Sequence, residues 1–143
     1  AFMGANYSGA TLIGADLREA EITGSNFGGA DFSRADLRGA QMVGSNFGAA
    51  RFAGAQMDKL EATGANFARA DLAGVRLTSA ELTGANFASA NLARARLADS
   101  ELTGANMSGV RAREADFTGA ELDGANLGGG RFDGASFREA SLE

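Results

Sequence analysis

Every fifth residue of this chain is large and apolar, and the rhythm holds from end to end. Call the central position of each five i. The series starts Phe2, Tyr7, Leu12, Leu17, Ile22, Phe27 and closes Phe132, Phe137, Leu142 in the same register. Every Phe falls in it, as does the only Tyr, and only Ala62 and Ala112 are small. Two residues earlier, at i−2, Ala is nearly constant, with Ser25, Ser45, Leu60, Val75, Ser100, Val110 and Gly130 as exceptions. The i−1, i+1 and i+2 positions are mainly polar, charged or Gly. The unit reads small, polar, large, polar, polar, with no insertion or deletion.

A period of five suits neither standard element. A strand alternates with period two. On an α-helix five residues advance about 500°, so the large residues would spiral round instead of forming a stripe. The chain must turn a corner every five residues and stack its large residues inside. A longer period sets the number of sides. At a spacing of 20 the segments 21–27 (EITGSNF), 61–67 (EATGANF), 81–87 (ELTGANF), 101–107 (ELTGANM) and 121–127 (ELDGANL) nearly coincide. Four five-residue sides therefore make one coil. About seven coils, stacked at an inter-strand spacing of about 4.8 Å, give a rod about 34 Å long. The whole of 1–143 reads as one such domain.

The units Ala15–Glu19 (ADLRE), Ala65–Arg69 (ANFAR) and Ala70–Gly74 (ADLAG) carry the motif A(D/N)LXX. In this the chain resembles the pentapeptide-repeat family over essentially its full length. The resemblance implies an all-β fold, a right-handed quadrilateral β-helix with i and i−2 pointing inward. That agrees with the pattern read from the residues.

Phe27, Phe47, Phe67, Phe87, Leu82, Leu102 and Leu122 are expected among the core residues, with Ala at i−2 leaving them room. Where i is Ala62 the i−2 residue is Leu60, and where i is Ala112 it is Val110, so large and small exchange places at near-constant volume. Asn6, Asn26, Asn46, Asn66, Asn86, Asn106 and Asn126 align at i−1 and predict a stacked amide ladder. Gly at i+2 fits corners needing positive φ. The absence of Pro fits a chain whose amides serve inter-coil hydrogen bonds.

Composition then removes most chemistry. The chain has no His and no Cys, and hence neither the commonest general base nor a thiolate ligand. No catalytic motif or metal-ligand cluster occurs, and no cofactor is implied. The run Gly128–Gly134 (GGGRFDG) is Gly-rich but lacks the lysine ending of a phosphate loop. The expectation is a protein that is not an enzyme. With a net charge of −5 it is not expected to bind nucleic acid directly, and no apolar run is long enough for a membrane helix. The N-terminus, AFMGANYSGA, has no signal-peptide pattern, which points to the cytoplasm. It opens inside the repeat without an initiator Met, which points to a processed or excised piece of a longer chain. Core residues at both ends suggest end-to-end self-association or capping by another domain.

Assigning each five to a side of the coil sorts the charge. The first face, centred on 2, 22, 42 and onward, carries Glu21, Glu61, Glu81, Glu101, Glu121, Asp123 and Glu143, and no Lys or Arg. The second carries only Arg69; the third and fourth mix both signs. Three readings of the acidic face stay open: a solvated ladder inherited by duplication of a 20-residue unit, a docking strip for a basic protein partner formed by Glu21, Glu61, Glu81, Glu101, Glu121 and Asp123, and bridging of the carboxylates by calcium. The first functional expectation is a non-catalytic structural or interaction scaffold. The family resemblance implies an alternative, a DNA-mimicking binder of gyrase, a type II topoisomerase, giving quinolone protection. The modest net charge, the uninterrupted repeat and the lack of a C-terminal helix weigh against it. A weaker alternative is an ice-binding surface, for which only one sparse Thr column is visible.

Overall fold

The computed structural model describes residues 1–143. The chain winds as a four-sided β-helix without any α-helix. Parallel bridges join residues 20 apart on every side: Asn6 to Asn26, Thr11 to Asp31, Asp16 to Asp36, Glu21 to Gln41, and onward to Glu121 and Ser141. The column that starts at Asn6 has rungs at 26, 46, 66, 86, 106 and 126.

In most units four of the five N–H groups bond to backbone carbonyls. The i−1 N–H donates to the coil before, as Asn26 does to the Ala5 carbonyl at 2.9 Å. The i and i+2 N–H groups donate to the coil after, as Phe27 does to Asn46 O (2.7 Å) and Gly29 to Gly48 O (2.8 Å). The i−2 N–H closes the corner, as Ala30 does on Phe27 O at 3.0 Å. The i+1 N–H has no backbone partner. Where i−1 is Asp or Asn, its side chain supplies one: Gly28 N–H donates to Asn26 Oδ1 at 3.1 Å, and Ser33 N–H to Asp31 Oδ1 at 2.9 Å. A short Asp or Asn at i−1 is therefore a turn cap.

Each corner places its i+2 residue at φ between 55° and 70°, as a type II turn requires at its third residue. Seventeen of these residues are Gly and eleven are not, among them Glu19, Arg34, Lys59 and Arg69. Glycine is thus favoured at a corner without being obligatory, a looser rule than the pattern suggested.

The i and i−2 side chains fill the rod. Phe27, Phe47, Phe67, Phe87, Leu82, Leu102 and Leu122 are all buried. Rings one coil apart stack at centroid distances of 5.7 Å (Phe27 and Phe47), 5.3 Å (Phe47 and Phe67) and 5.1 Å (Phe67 and Phe87), tracking the rise per coil. Leu60 and Ala62 are both fully buried, as are Val110 and Ala112. Volume also shifts the other way: a Cβ on Gly130 would run into the Phe132 ring. The buried hydroxyls at i−2 find carbonyls, Ser25 to Phe2 O, Ser45 to Ile22 O, and Ser100 to Leu97 O at 2.6 Å. In the end coils Phe2, Tyr7, Leu127, Phe132 and Phe137 are half-buried, and Leu142 is 53% exposed.

Candidate protein-binding face

The expected amide ladder forms from Asn6 to Asn106. Asn26, Asn46, Asn66, Asn86 and Asn106 each donate through Nδ2 to the Oδ1 of the Asn one coil earlier, at 2.8–3.2 Å. Asn126 stands outside this run and its Oδ1 accepts only from Gly128 N–H, at 3.0 Å. Sequence reading missed the second task of these side chains, the turn cap. The signal was present in the A(D/N)LXX motif, since Asp cannot donate in a ladder yet shares the position with Asn. Asn66→Ala removes the cap on Ala68 N–H and both ladder bonds, so thermal or denaturant unfolding should show a loss of about 1–2 kcal/mol.

On the third and fourth faces several charges are tied to each other, while others, such as Arg34, Lys59, Arg96, Arg111 and Arg131, have no ion-pair partner within 4.0 Å. Arg18 Nη2 lies 2.6 Å from Asp16 Oδ2, Arg38 Nη2 2.6 Å from Asp36 Oδ2, and Arg51 Nη2 2.7 Å from Asp31 Oδ2. Arg94 and Arg113 both approach Glu114, at 2.9 Å and 3.3 Å. The Arg18 hydrogen bond pulls Asp16 down to about 2. Arg38 likewise lowers Asp36, the Ser33 hydroxyl lowers Asp31, Arg94 lowers Glu114, and the Thr118 hydroxyl lowers Asp116. Depressed carboxyls stabilise the fold above their unfolded value, near 3.8 for Asp, and lose that contribution as pH falls towards about 2. The melting temperature should therefore be flat down to about pH 5 and decline modestly from about pH 4 to pH 2, since these carboxylates are exposed and their pairs are screened by water.

The first face differs in kind. Its i−1 column reads Glu21, Gln41, Glu61, Glu81, Glu101, Glu121, Ser141, bridged rung to rung. It is the one face with neither Asp nor Asn in that column. Glu is a methylene longer than Asp, and none of these carboxylates bonds the i+1 N–H of its own turn. None of the five glutamates forms an ion pair within 4.0 Å or any side-chain hydrogen bond. Glu61 is partly covered and the other four are exposed. Glu61, Glu81, Glu101 and Glu121 occupy consecutive rungs, whereas Glu21 is set apart by Gln41. Asp123 belongs to a different column, beneath Thr103, and its Oδ1 accepts the Glu143 N–H at 3.0 Å. The expected strip thus resolves into four adjacent free glutamates, one outlier and one carboxylate engaged within the protein. No group of three or more acidic side chains converges as a metal site. The surface depressions are shallow, one lying over Ala73, Gly74, Ala93, Arg94 and Arg113 on the opposite face.

The family model described as pentapeptide repeats matches in eight copies, over residues 2–39, 30–67, 40–78, 80–119 and 115–143. The chain belongs to this family, and its fold is the right-handed quadrilateral β-helix. Among solved structures, two trypsin-treated variants of QnrB1, a plasmid-mediated fluoroquinolone resistance protein, share that fold. One has a TM-score of 0.66 at 23% identity, covering 94% of this chain and 71% of that one. The other has a TM-score of 0.52 at 22% identity, covering 96% and 70%. HetL, a pentapeptide repeat protein involved in heterocyst differentiation regulation from Nostoc sp. strain PCC 7120, is 25% identical over 96% of this chain and 84% of its own, with a TM-score of 0.42. Comparison with curated protein sequences found no match.

Proposed function

We propose that this protein is a non-catalytic interaction scaffold whose first face docks a basic protein partner. One observation carries the reading: four consecutive rungs present glutamates that are bonded to nothing in the protein, on a face without a cation. Where Asp or Asn stands at the same position elsewhere, it is committed to a turn cap, an ion pair or both. Stacking like charges about 5 Å apart gains the fold nothing and costs some repulsion, which a basic partner would relieve. Association through such a face should be fast and sensitive to salt.

Binding of a type II topoisomerase in the manner of DNA is the second reading, favoured by the acidic face and the fold shared with QnrB1. The charge density is its difficulty. Duplex DNA carries one charge per about 1.7 Å of axis, whereas one carboxylate per rung gives one per about 4.8 Å.

The test is capture from a host lysate on immobilised protein, with the variant Glu61→Lys, Glu81→Lys, Glu101→Lys beside it. Partners held by the native protein at low salt should be lost on the variant and released as salt rises. Equal recovery on both would end the docking reading. Gyrase supercoiling left unchanged by micromolar protein would end the second.

A further inference from the structure

We infer that the shallow depression on the third face is a binding site for a small phosphate monoester with a flat apolar body. Arg94 and Arg113 would grip the phosphoryl group, and Ala73, Gly74 and Ala93 would floor the apolar part. The site lies across the rod from the glutamates and is independent of the docking reading above.

The depression follows from how corner side chains lean. Those at i+2 reach over the corner of the next coil. A Cβ on Gly54 would meet Arg34 Cγ at 3.6 Å, and one on Gly134 would meet Glu114 Cγ at 3.5 Å. The corner column of this face runs Gly14, Arg34, Gly54, Gly74, Arg94, Glu114, Gly134. Gly54 and Gly74 are its only consecutive glycines, so no side chain reaches across Gly74. A Cβ built there meets nothing within 4 Å. Arg94 leans the other way, onto Glu114. With Ala73 and Ala93 alongside, the floor has no side-chain atom beyond Cβ, and the space above it is about 440 Å³.

The two arginines are held ready for an anion. Arg94 Nε donates to Glu114 Oε2 at 2.9 Å, and Arg113 Nε lies 3.3 Å from Oε1 of the same carboxylate. One acidic side chain thus fixes two guanidiniums by the Nε edge. Neither makes any other ion pair, and the Nη groups of both are left free. Paired N–H groups in a planar fork are what arginine offers a phosphate.

The charge around them favours a dianion. Residues 91–94, 111–114 and 131–134 of this face hold Arg94, Arg111, Arg113 and Arg131 against only Glu114 and Asp133. Arg111 and Arg131 stand on adjacent rungs without an ion pair. Asp71, at the edge of the floor, is already engaged: its Oδ1 accepts Ala73 N–H at 3.2 Å and Asn91 Nδ2 at 3.1 Å. The floor spans two coils about 4.8 Å apart, room for one aromatic ring beside a guanidinium.

Calorimetry on the full chain at low salt with three probes tests the site: phenyl phosphate, inorganic phosphate and benzoate. Phenyl phosphate should bind at least about tenfold tighter than either of the others. Arg94→Gln with Arg113→Gln should weaken it by about tenfold or more. Gly74→Gln fills the floor at a kind of corner that elsewhere holds Arg34 or Lys59. It should melt like the native protein and bind phenyl phosphate no better than inorganic phosphate. Arg69→Gln, on the second face, should leave binding unchanged. Inorganic phosphate as tight as phenyl phosphate would overturn the apolar floor. Benzoate as tight would overturn the phosphoryl group. Binding undiminished by the Arg94 and Arg113 changes, or equally reduced by Arg69→Gln, would overturn the site itself.

Discussion

Phe67→Ala should destabilise the rod by about 3–5 kcal/mol, a large share of what a chain of this size has. Phe67 is fully buried. Its ring stacks on Phe47 at 5.3 Å and on Phe87 at 5.1 Å, and meets the Phe52 ring edge-on at 5.9 Å. Ala leaves a cavity that the coil cannot close, because the inter-coil hydrogen bonds above and below hold the walls apart: Phe67 N–H to Asn86 O (2.7 Å) and Phe47 N–H to Asn66 O (2.7 Å). A solenoid also contacts itself only between neighbouring coils, so a gap at mid-rod weakens the coupling of its two halves. Denaturant unfolding should show a lower midpoint and a broader transition. Phe132→Ala, in the half-buried last coil, should cost distinctly less. Phe67→Leu should cost under about 1.5 kcal/mol, since Leu fills the same position elsewhere in the repeat.

Leu60→Ala comes next, at about 2–5 kcal/mol, and it has a built-in rescue. Leu60 occupies an i−2 position that in most units holds Ala, and two residues on Ala62 occupies a position that holds a large residue in every other unit but that of Ala112. Both are fully buried. If the pair shares one volume, adding Ala62→Leu to Leu60→Ala returns the coil to the common pattern and recovers more than half the loss. Chemical denaturation of the two single variants and the double variant gives the coupling directly. A double variant as unstable as Leu60→Ala alone would mean that neighbouring coils have adapted to the exchange and that the volume is not shared locally.

How much was legible from residues follows from what a strict period can carry. Four sides, an inward i and i−2, and a separate acidic face all follow once the 5- and 20-residue periods are seen, because insertions never disturb the register. Exchanges such as Leu60 with Ala62 were legible for the same reason. The turn cap was not, since Asn at i−1 explains itself as a ladder and hides its bond to the i+1 N–H. Only coordinates show that Asn26 does both. The meaning of Glu in place of Asp was hidden with it. A carboxylate one methylene longer looks equivalent in a charge count, yet it is the difference between a side chain used by the turn and one left free. Asp123 shows the reverse limit: charge counting placed it in the strip, while the coil places it in the Thr column and bonds it to the Glu143 N–H. Positive φ at eleven residues other than Gly was also beyond the pattern, because corner geometry is imposed by inter-coil bonding and local preference only tunes it.

The central claim is that the first face, and not acidity in general, does the binding. Capture by three forms of the full chain tests it: the native protein, Glu61→Lys with Glu81→Lys and Glu101→Lys, and Arg94→Glu with Arg111→Glu and Arg131→Glu on the opposite face. Melting curves should show all three folded. The account predicts that partners retained by the native protein persist on the Arg variant and disappear from the Lys variant. Loss on both variants, or on neither, would contradict it.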